Sequence, residues 1–173
     1  RPGVRRYLRN RTLRIVPVLW VAVLAAWLLL GEGPPRFYVA HAFLVQIYIP
    51  DHFLHGLTQM WSLATEVAFY LLLPGLAALL CRGGNDRAWV IRLSLVLGSM
   101  MFIGPLWMFF TTTLGYSLPR LWLPGFIGWF AMGMLFAAWS AASEREIVHD
   151  SWMSAAGRYP GTCWALAAAL FAL

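Results

Sequence analysis

Residues 1–30 read RPGVRRYLRNRTLRIVPVLWVAVLAAWLLL: six arginines in the first fourteen positions, then an apolar run that ends at Leu30. Crossing a hydrocarbon core of ~30 Å takes about 20 apolar residues at ~1.5 Å each, so this run reads as a membrane-spanning helix. Working outward, runs of similar length lie at 62–81, 89–110 and 122–142, and a further one begins near Thr162. The expected fold class is all-α, a polytopic transmembrane helical bundle, with spans at 13–30, 62–81, 89–110, 122–142 and 162–173, the last cut short.

Composition agrees. Of the 173 residues, 61% are hydrophobic and only 12% charged, against roughly 45–50% and about 25% in soluble domains. Mean hydropathy is +0.67. A water-soluble globule of this make-up lacks the charges to cover its surface.

A pI near 10.0 raises nucleic acid as a partner, but the placement of charge argues against it. All thirteen basic residues are Arg, and Arg1, Arg5, Arg6, Arg9, Arg11 and Arg14 precede the first span directly. That is the pattern of a juxtamembrane segment held by the anionic headgroups of a lipid bilayer.

The stretch 37–49 is apolar and aromatic but too short to span, which reads as a re-entrant or interfacial segment. If it does not cross, the inside segments 1–14, 82–92 and 143–161 carry six, three and two Arg, and the outside ones only Arg36 and Arg120. The positive-inside rule favours that arrangement and puts residues 1–14 in the cytoplasm. Pro34, Pro35, Pro50, Pro119 and Pro124 mark segment ends. Pro17 is placed in the first turns of its helix, where a missing N–H costs least, and Pro74 and Pro105 lie inside spans.

Gly125, Gly128 and Gly133 in the fourth span predict a close helix contact. Cys81 and Cys163 lie in or beside apolar runs without ligand spacing, and both read as packing residues. Asp51, His52 and His55 cluster, but an i, i+3 histidine pair without a third ligand is not a metal site, and no metal is expected. His41 and His149 carry no pattern.

Two groups of polar residues point to chemistry. A carboxylate inside a span costs ~2.5–3.5 kcal/mol on insertion scales, so Glu66 calls for a reason. On a helix Ser62, Glu66 and Tyr70 fall at i, i+4 and i+8 and share one face. The structural alternative makes Ser62 an N-cap and Glu66 a partner of the helix dipole. Arg11 and Arg14, three apart at a helix start, form the second group. They suit a phosphate clamp as well as simple anchoring to headgroups.

The order R-x-x-R-I-x-P (Arg11, Arg14, Ile15, Pro17), a short apolar segment, then W-S-L-x-x-E-x-x-F-Y-L-L-L-P resembles the integral-membrane acyltransferases commonly called acyltransferase 3. The second motif rests on Trp61, Ser62, Leu63, Glu66, Phe69, Tyr70 and Pro74. By motif the resemblance covers about residues 5–82; the rest agrees only as further hydrophobic spans.

The resemblance implies O-acylation, usually O-acetylation, in the cell envelope. An acyl group passes from cytoplasmic acyl-CoA, a donor substrate rather than a resident cofactor, to a hydroxyl of an extracytoplasmic carbohydrate, lipid or related acceptor. It implies a multi-pass protein of a cell membrane, here a bacterial cytoplasmic membrane. Arg11 and Arg14 would hold the acyl-CoA phosphates, and Glu66, Tyr70 and Ser62 would be the catalytic set, on the side opposite the arginines.

The family's proposed catalytic His lies on a span before the R-x-x-R loop. The chain opens on Arg1 rather than Met and closes inside an apolar run, so it reads as a single acyltransferase-like domain incomplete at both ends. On that reading the piece by itself is expected to be inactive. A proton-coupled transporter or flippase, with Glu66 as the coupling group, is the alternative from another class.

Overall fold

A computed structural model of the chain describes residues 3–31, 33–80, 86–144 and 157–171. Six α-helices are described: α1 (Val4–Leu30), α2 (Pro35–Ala42), α3 (Met60–Leu80), α4 (Asp86–Thr113), α5 (Leu123–Glu144) and α6 (Pro160–Phe171). Turns of 3-10 helix occupy Gln46–Tyr48, His55–Leu57 and Leu118–Leu121, and the described residues contain no strand. Among the described residues four segments are long and apolar enough to cross a membrane: Val4–Leu30, Met60–Leu80, Ala88–Thr113 and Leu118–Glu144.

The first helix begins at Val4, nine residues before the expected boundary at 13. Arginine and leucine are good helix formers and nothing between Val4 and Arg14 interrupts the backbone pattern. Two consequences follow. Most of the basic segment is helical and continuous with the span, and Pro17 stands deep inside α1 rather than in its first turns. The helix ends at Gly31, whose backbone adopts the left-handed conformation (φ 59°) and returns its N–H to the Trp27 carbonyl.

Only one stripe of α1 is buried. Leu19, Val23 and Ala26, at i, i+4 and i+7, pack on Tyr38, Leu44 and Ile47 and on Leu54, Leu57 and Ala64. Val18, Val21, Leu28 and Leu29 on the other faces are exposed. In a spanning helix such a surface meets lipid tails, where exposure of apolar side chains costs nothing.

The stretch 37–49 forms the end of α2 and the Gln46–Tyr48 turn. Eight helical residues rise ~12 Å, too little to cross. One side of it enters the core, where His41, Gln46 and Ile47 are fully buried, while Val39, Phe43 and Tyr48 are exposed. α2 ends at Ala42, and two residues on Leu44 takes a left-handed conformation (φ 57°) that side chains rarely adopt. Burial of that side chain and two indoles hold the turn: Trp20 Nε1 donates to the Ala42 carbonyl (3.2 Å) and Trp122 Nε1 to the Ile47 carbonyl (2.9 Å).

Within the first unit, α3, α4 and the start of α5 are tied by aromatic and polar contacts. Phe69 stacks on Phe130 with centroids 4.1 Å apart, and Thr65 Oγ1 donates to the Leu121 carbonyl (2.8 Å). Arg92 caps α3 by donating to the Leu80 carbonyl (2.9 Å). A Cβ on Gly104 would stand 2.9 Å from the Gly125 carbonyl oxygen, and one on Gly128 would stand 3.2 Å from that of Met101, so α4 and α5 touch backbone to backbone there. The expected Gly133 contact is absent, since nothing lies within 4 Å of its Cβ position.

Two compact units divide the chain, Arg1–Leu135 and Phe136–Leu173. In the second, α6 leaves Trp164, Leu166 and Phe171 exposed. Cys163 is exposed too, contrary to the packing role expected for it, whereas Cys81 lies outside the described residues together with Arg82 and His149.

Candidate functional site

Two helices of the first unit supply the site. Arg11 and Arg14 project from α1, and Glu66 and Tyr70 from α3. The helices run antiparallel: Arg11 meets Tyr70, while Ala22, three turns on, shares a cavity wall with Met60 at the start of α3. Tyr70 stands ~15 Å along a helix of ~30 Å, close to its middle.

The geometry is specific. The Arg11 guanidinium sits over the Tyr70 ring, 4.6 Å from its centroid, and 5.6 Å from the ring of Tyr7 one turn earlier on α1. The Tyr70 hydroxyl donates to Glu66 Oε1. A cation between two phenol faces is stabilised by ~0.5–2 kcal/mol, most where water is excluded. Glu66 therefore has a hydrogen-bond donor and a nearby positive charge, and both reduce the cost of an intramembrane carboxylate.

Arg11, Arg14, Glu66 and Tyr70 line one cavity of about 450 Å³, walled by Ile15, Val18, Leu19 and Leu63. The expected separation of the arginines from Glu66 is overturned. Because α1 is helical from Val4 and runs alongside α3, Arg11 falls level with Tyr70 near the middle of α3, and Arg14 joins it on the cavity wall. Two guanidiniums against one carboxylate leave the cavity positive, and an anionic ligand fits it.

Ser62 takes another course. Helix α3 begins at Met60, so Ser62 lies inside it rather than at its N-cap, and its exposed hydroxyl donates to the Gln59 carbonyl (2.9 Å). It is not among the cavity-lining residues.

His52 donates from Nδ1 to the Pro50 carbonyl (2.6 Å) and packs against Phe37 with the rings tilted by 48° and centroids 4.6 Å apart. Among the described residues no three His, Cys, Asp or Glu side chains gather as metal ligands.

Sequence reasoning passed over a second polar group. His41 Nδ1 donates to the Phe37 carbonyl (2.8 Å), which fixes the tautomer and leaves Nε2 as a buried acceptor without a partner among the described residues. The Gln46 amide and the Tyr38 hydroxyl are likewise buried, with no partner among the described residues. Their residue types carry no sequence pattern, and only the fold of 37–49 buries them.

The family model described as "Acyltransferase domain", acyltransferase 3, matches the chain over residues 1–173. No curated protein and no solved structure matches it.

Proposed function

The chain belongs to this acyltransferase family, and from that premise we propose that it is a membrane-bound O-acyltransferase that draws an acyl group from cytoplasmic acyl-CoA. The acceptor is a hydroxyl of a carbohydrate, lipid or related molecule on the far side of the membrane. One observation carries the reading: Arg11, Arg14, Glu66 and Tyr70, from two helices and two separate sequence motifs, line a single positive cavity.

Each residue has a task. Arg11 and Arg14 hold the phosphates of the donor, where fixed positive charge offsets the desolvation of an anion. Tyr70 keeps Glu66 in place and keeps Arg11 over its ring. Glu66 orients and charge-balances the base that takes the acceptor's proton, in the manner of a triad carboxylate. The acceptor oxygen bonds to the thioester carbonyl carbon, the C–S bond breaks, and the hydroxyl proton ends on the released thiol.

Transfer is tested with the full-length protein in vesicles and a donor labelled in its acyl group. Base-labile label on a hydroxyl-bearing saccharide or lipid is the expected result. Movement of that saccharide or lipid across the membrane without covalent change would overturn the enzyme reading in favour of transport, for which no separate observation speaks.

A further inference from the structure

A groove of about 320 Å³ runs between α1 and α2 and shares no lining residue with the cavity of Arg11 and Glu66. Trp20, Leu24 and Trp27 form its α1 wall, and Pro35, Val39 and Phe43 form its α2 wall. All six are exposed. Two contacts hold the walls in place: the bond from Trp20 Nε1 to the Ala42 carbonyl (3.2 Å), and the packing of the Trp27 ring against that of Tyr38, with centroids 6.1 Å apart.

The same contacts give the depth of the groove. Trp27 meets Tyr38 and Trp20 meets Ala42, so α2 turns back along α1 from the membrane edge at which α1 ends. From Leu30 back to Trp20 a helix rises ~15 Å, half of a hydrocarbon core of ~30 Å. The groove thus covers the depth of one leaflet, from Pro35 at the edge to Phe43 near the middle. Arg36 stands exposed at the edge, its guanidinium 5.6 Å from the centroid of the Phe37 ring. Seven residues separate Arg36 from Phe43, which puts the two on the same side of α2.

We propose that this groove binds one anionic phospholipid, with an acyl chain lying between α1 and α2 and the phosphate on Arg36. Surroundings, size and charge select the occupant. Exposed apolar side chains on a spanning helix face lipid tails, so the groove opens onto the bilayer. At the ~30 Å³ that one water takes in the liquid, it has room for on the order of ten chain carbons. A protein helix, ~10–12 Å across with its side chains, is too wide to enter. Arg36 adds the attraction of a basic residue at the membrane surface for an anionic headgroup. Because the groove and the Arg11–Glu66 cavity have separate walls, the site does not depend on the acyl-transfer reading.

Photo-crosslinking tests this with the full-length protein in phosphatidylcholine vesicles. The probes are phosphatidylglycerol and phosphatidylcholine, each carrying a diazirine in one acyl chain, and the labelled residues are mapped by mass spectrometry. Val21, exposed on α1 and outside the groove, reports ordinary lipid contact. Relative to Val21, labelling at Leu24, Val39 and Phe43 is expected to be about fivefold greater with phosphatidylglycerol than with phosphatidylcholine, the effect of one basic residue at the surface. Arg36→Gln should bring the two lipids level. Val39→Trp and Leu24→Trp fill the groove from opposite walls at exposed positions and should each remove the excess labelling at the remaining groove residues. Equal labelling by both lipids in the native protein would overturn the proposal. So would a phosphatidylglycerol preference that survives Arg36→Gln, or labelling at Val21 with none in the groove, which would show that a protein segment covers it.

Discussion

The guanidinium of Arg11 lies 4.6 Å from the centroid of the Tyr70 ring, and the hydroxyl of that same ring donates to the Glu66 carboxylate. One phenol thus links the cation of the first motif to the anion of the second, and the site works as a unit. Predictions for single residues follow from which link each change cuts.

Replacing Glu66 by Gln keeps the shape and removes the negative charge. The rate of acyl transfer should fall by ~10²–10⁴, the range of lost acid–base assistance, with donor affinity little changed. Tyr70→Phe keeps the ring under Arg11 and loses only the hydrogen bond to a charged acceptor, worth ~1.5–3 kcal/mol, so a rate loss of roughly 10–10² is expected. Steady-state kinetics on membranes matched for folded protein decide this. Full activity in Glu66→Gln would remove the carboxylate from the mechanism.

Arg11→Ala should raise the apparent KM for acyl-CoA about 10-fold or more and leave the turnover number less affected, because the charge is assigned to donor binding. Arg11→Lys should lie between, since an ammonium keeps the charge and loses the planar, multi-donor geometry of the guanidinium. Arg9, exposed on the same helix, is the control. If Arg9→Ala and Arg11→Ala shift KM equally, both residues act only as headgroup anchors.

Burial drives the His41 imidazole below its ordinary value of 6.5, against a hydrogen bond to Phe37 that raises it, and the His52 imidazole adds a smaller push downward. Below 6.5 the unfolded chain takes up a proton that folded His41 refuses. Stability is therefore complete above that pH and declines as pH falls from 6.5 toward the lowered folded value. Thermal midpoints from about pH 8 to about pH 5 should show the decline in the native protein. His41→Gln should flatten it. The same slope in both proteins would assign the pH dependence to other groups.

Gly104→Ala places a Cβ 2.9 Å from the Gly125 carbonyl oxygen and should destabilise the α4–α5 contact by about 1–3 kcal/mol. Gly133→Ala meets nothing within 4 Å and should stabilise by up to ~1 kcal/mol through helix propensity. Thermal unfolding in detergent separates the two. A neutral Gly104→Ala would show that the helices have room to part.

Much of this molecule was legible along the chain. Run length and charge placement identify apolar helices, because crossing a membrane is a condition on consecutive residues. The two motifs put Arg11 with Arg14 and Glu66 with Tyr70, because residues three or four apart share a helix face. Boundaries were less secure at α1, since nothing local stops the helix between Val4 and Leu13.

What the sequence by itself determined is the set of helices and which side chains each one presents. Only the tertiary structure decided that Arg11 and Glu66 belong to one cavity, because that depends on the start of α1 and on the register of two antiparallel helices. Only the tertiary structure buried His41 and Gln46 and left an apolar groove between α1 and α2. Spacing along one chain is a one-dimensional quantity. Reach between side chains on neighbouring helices is set by packing.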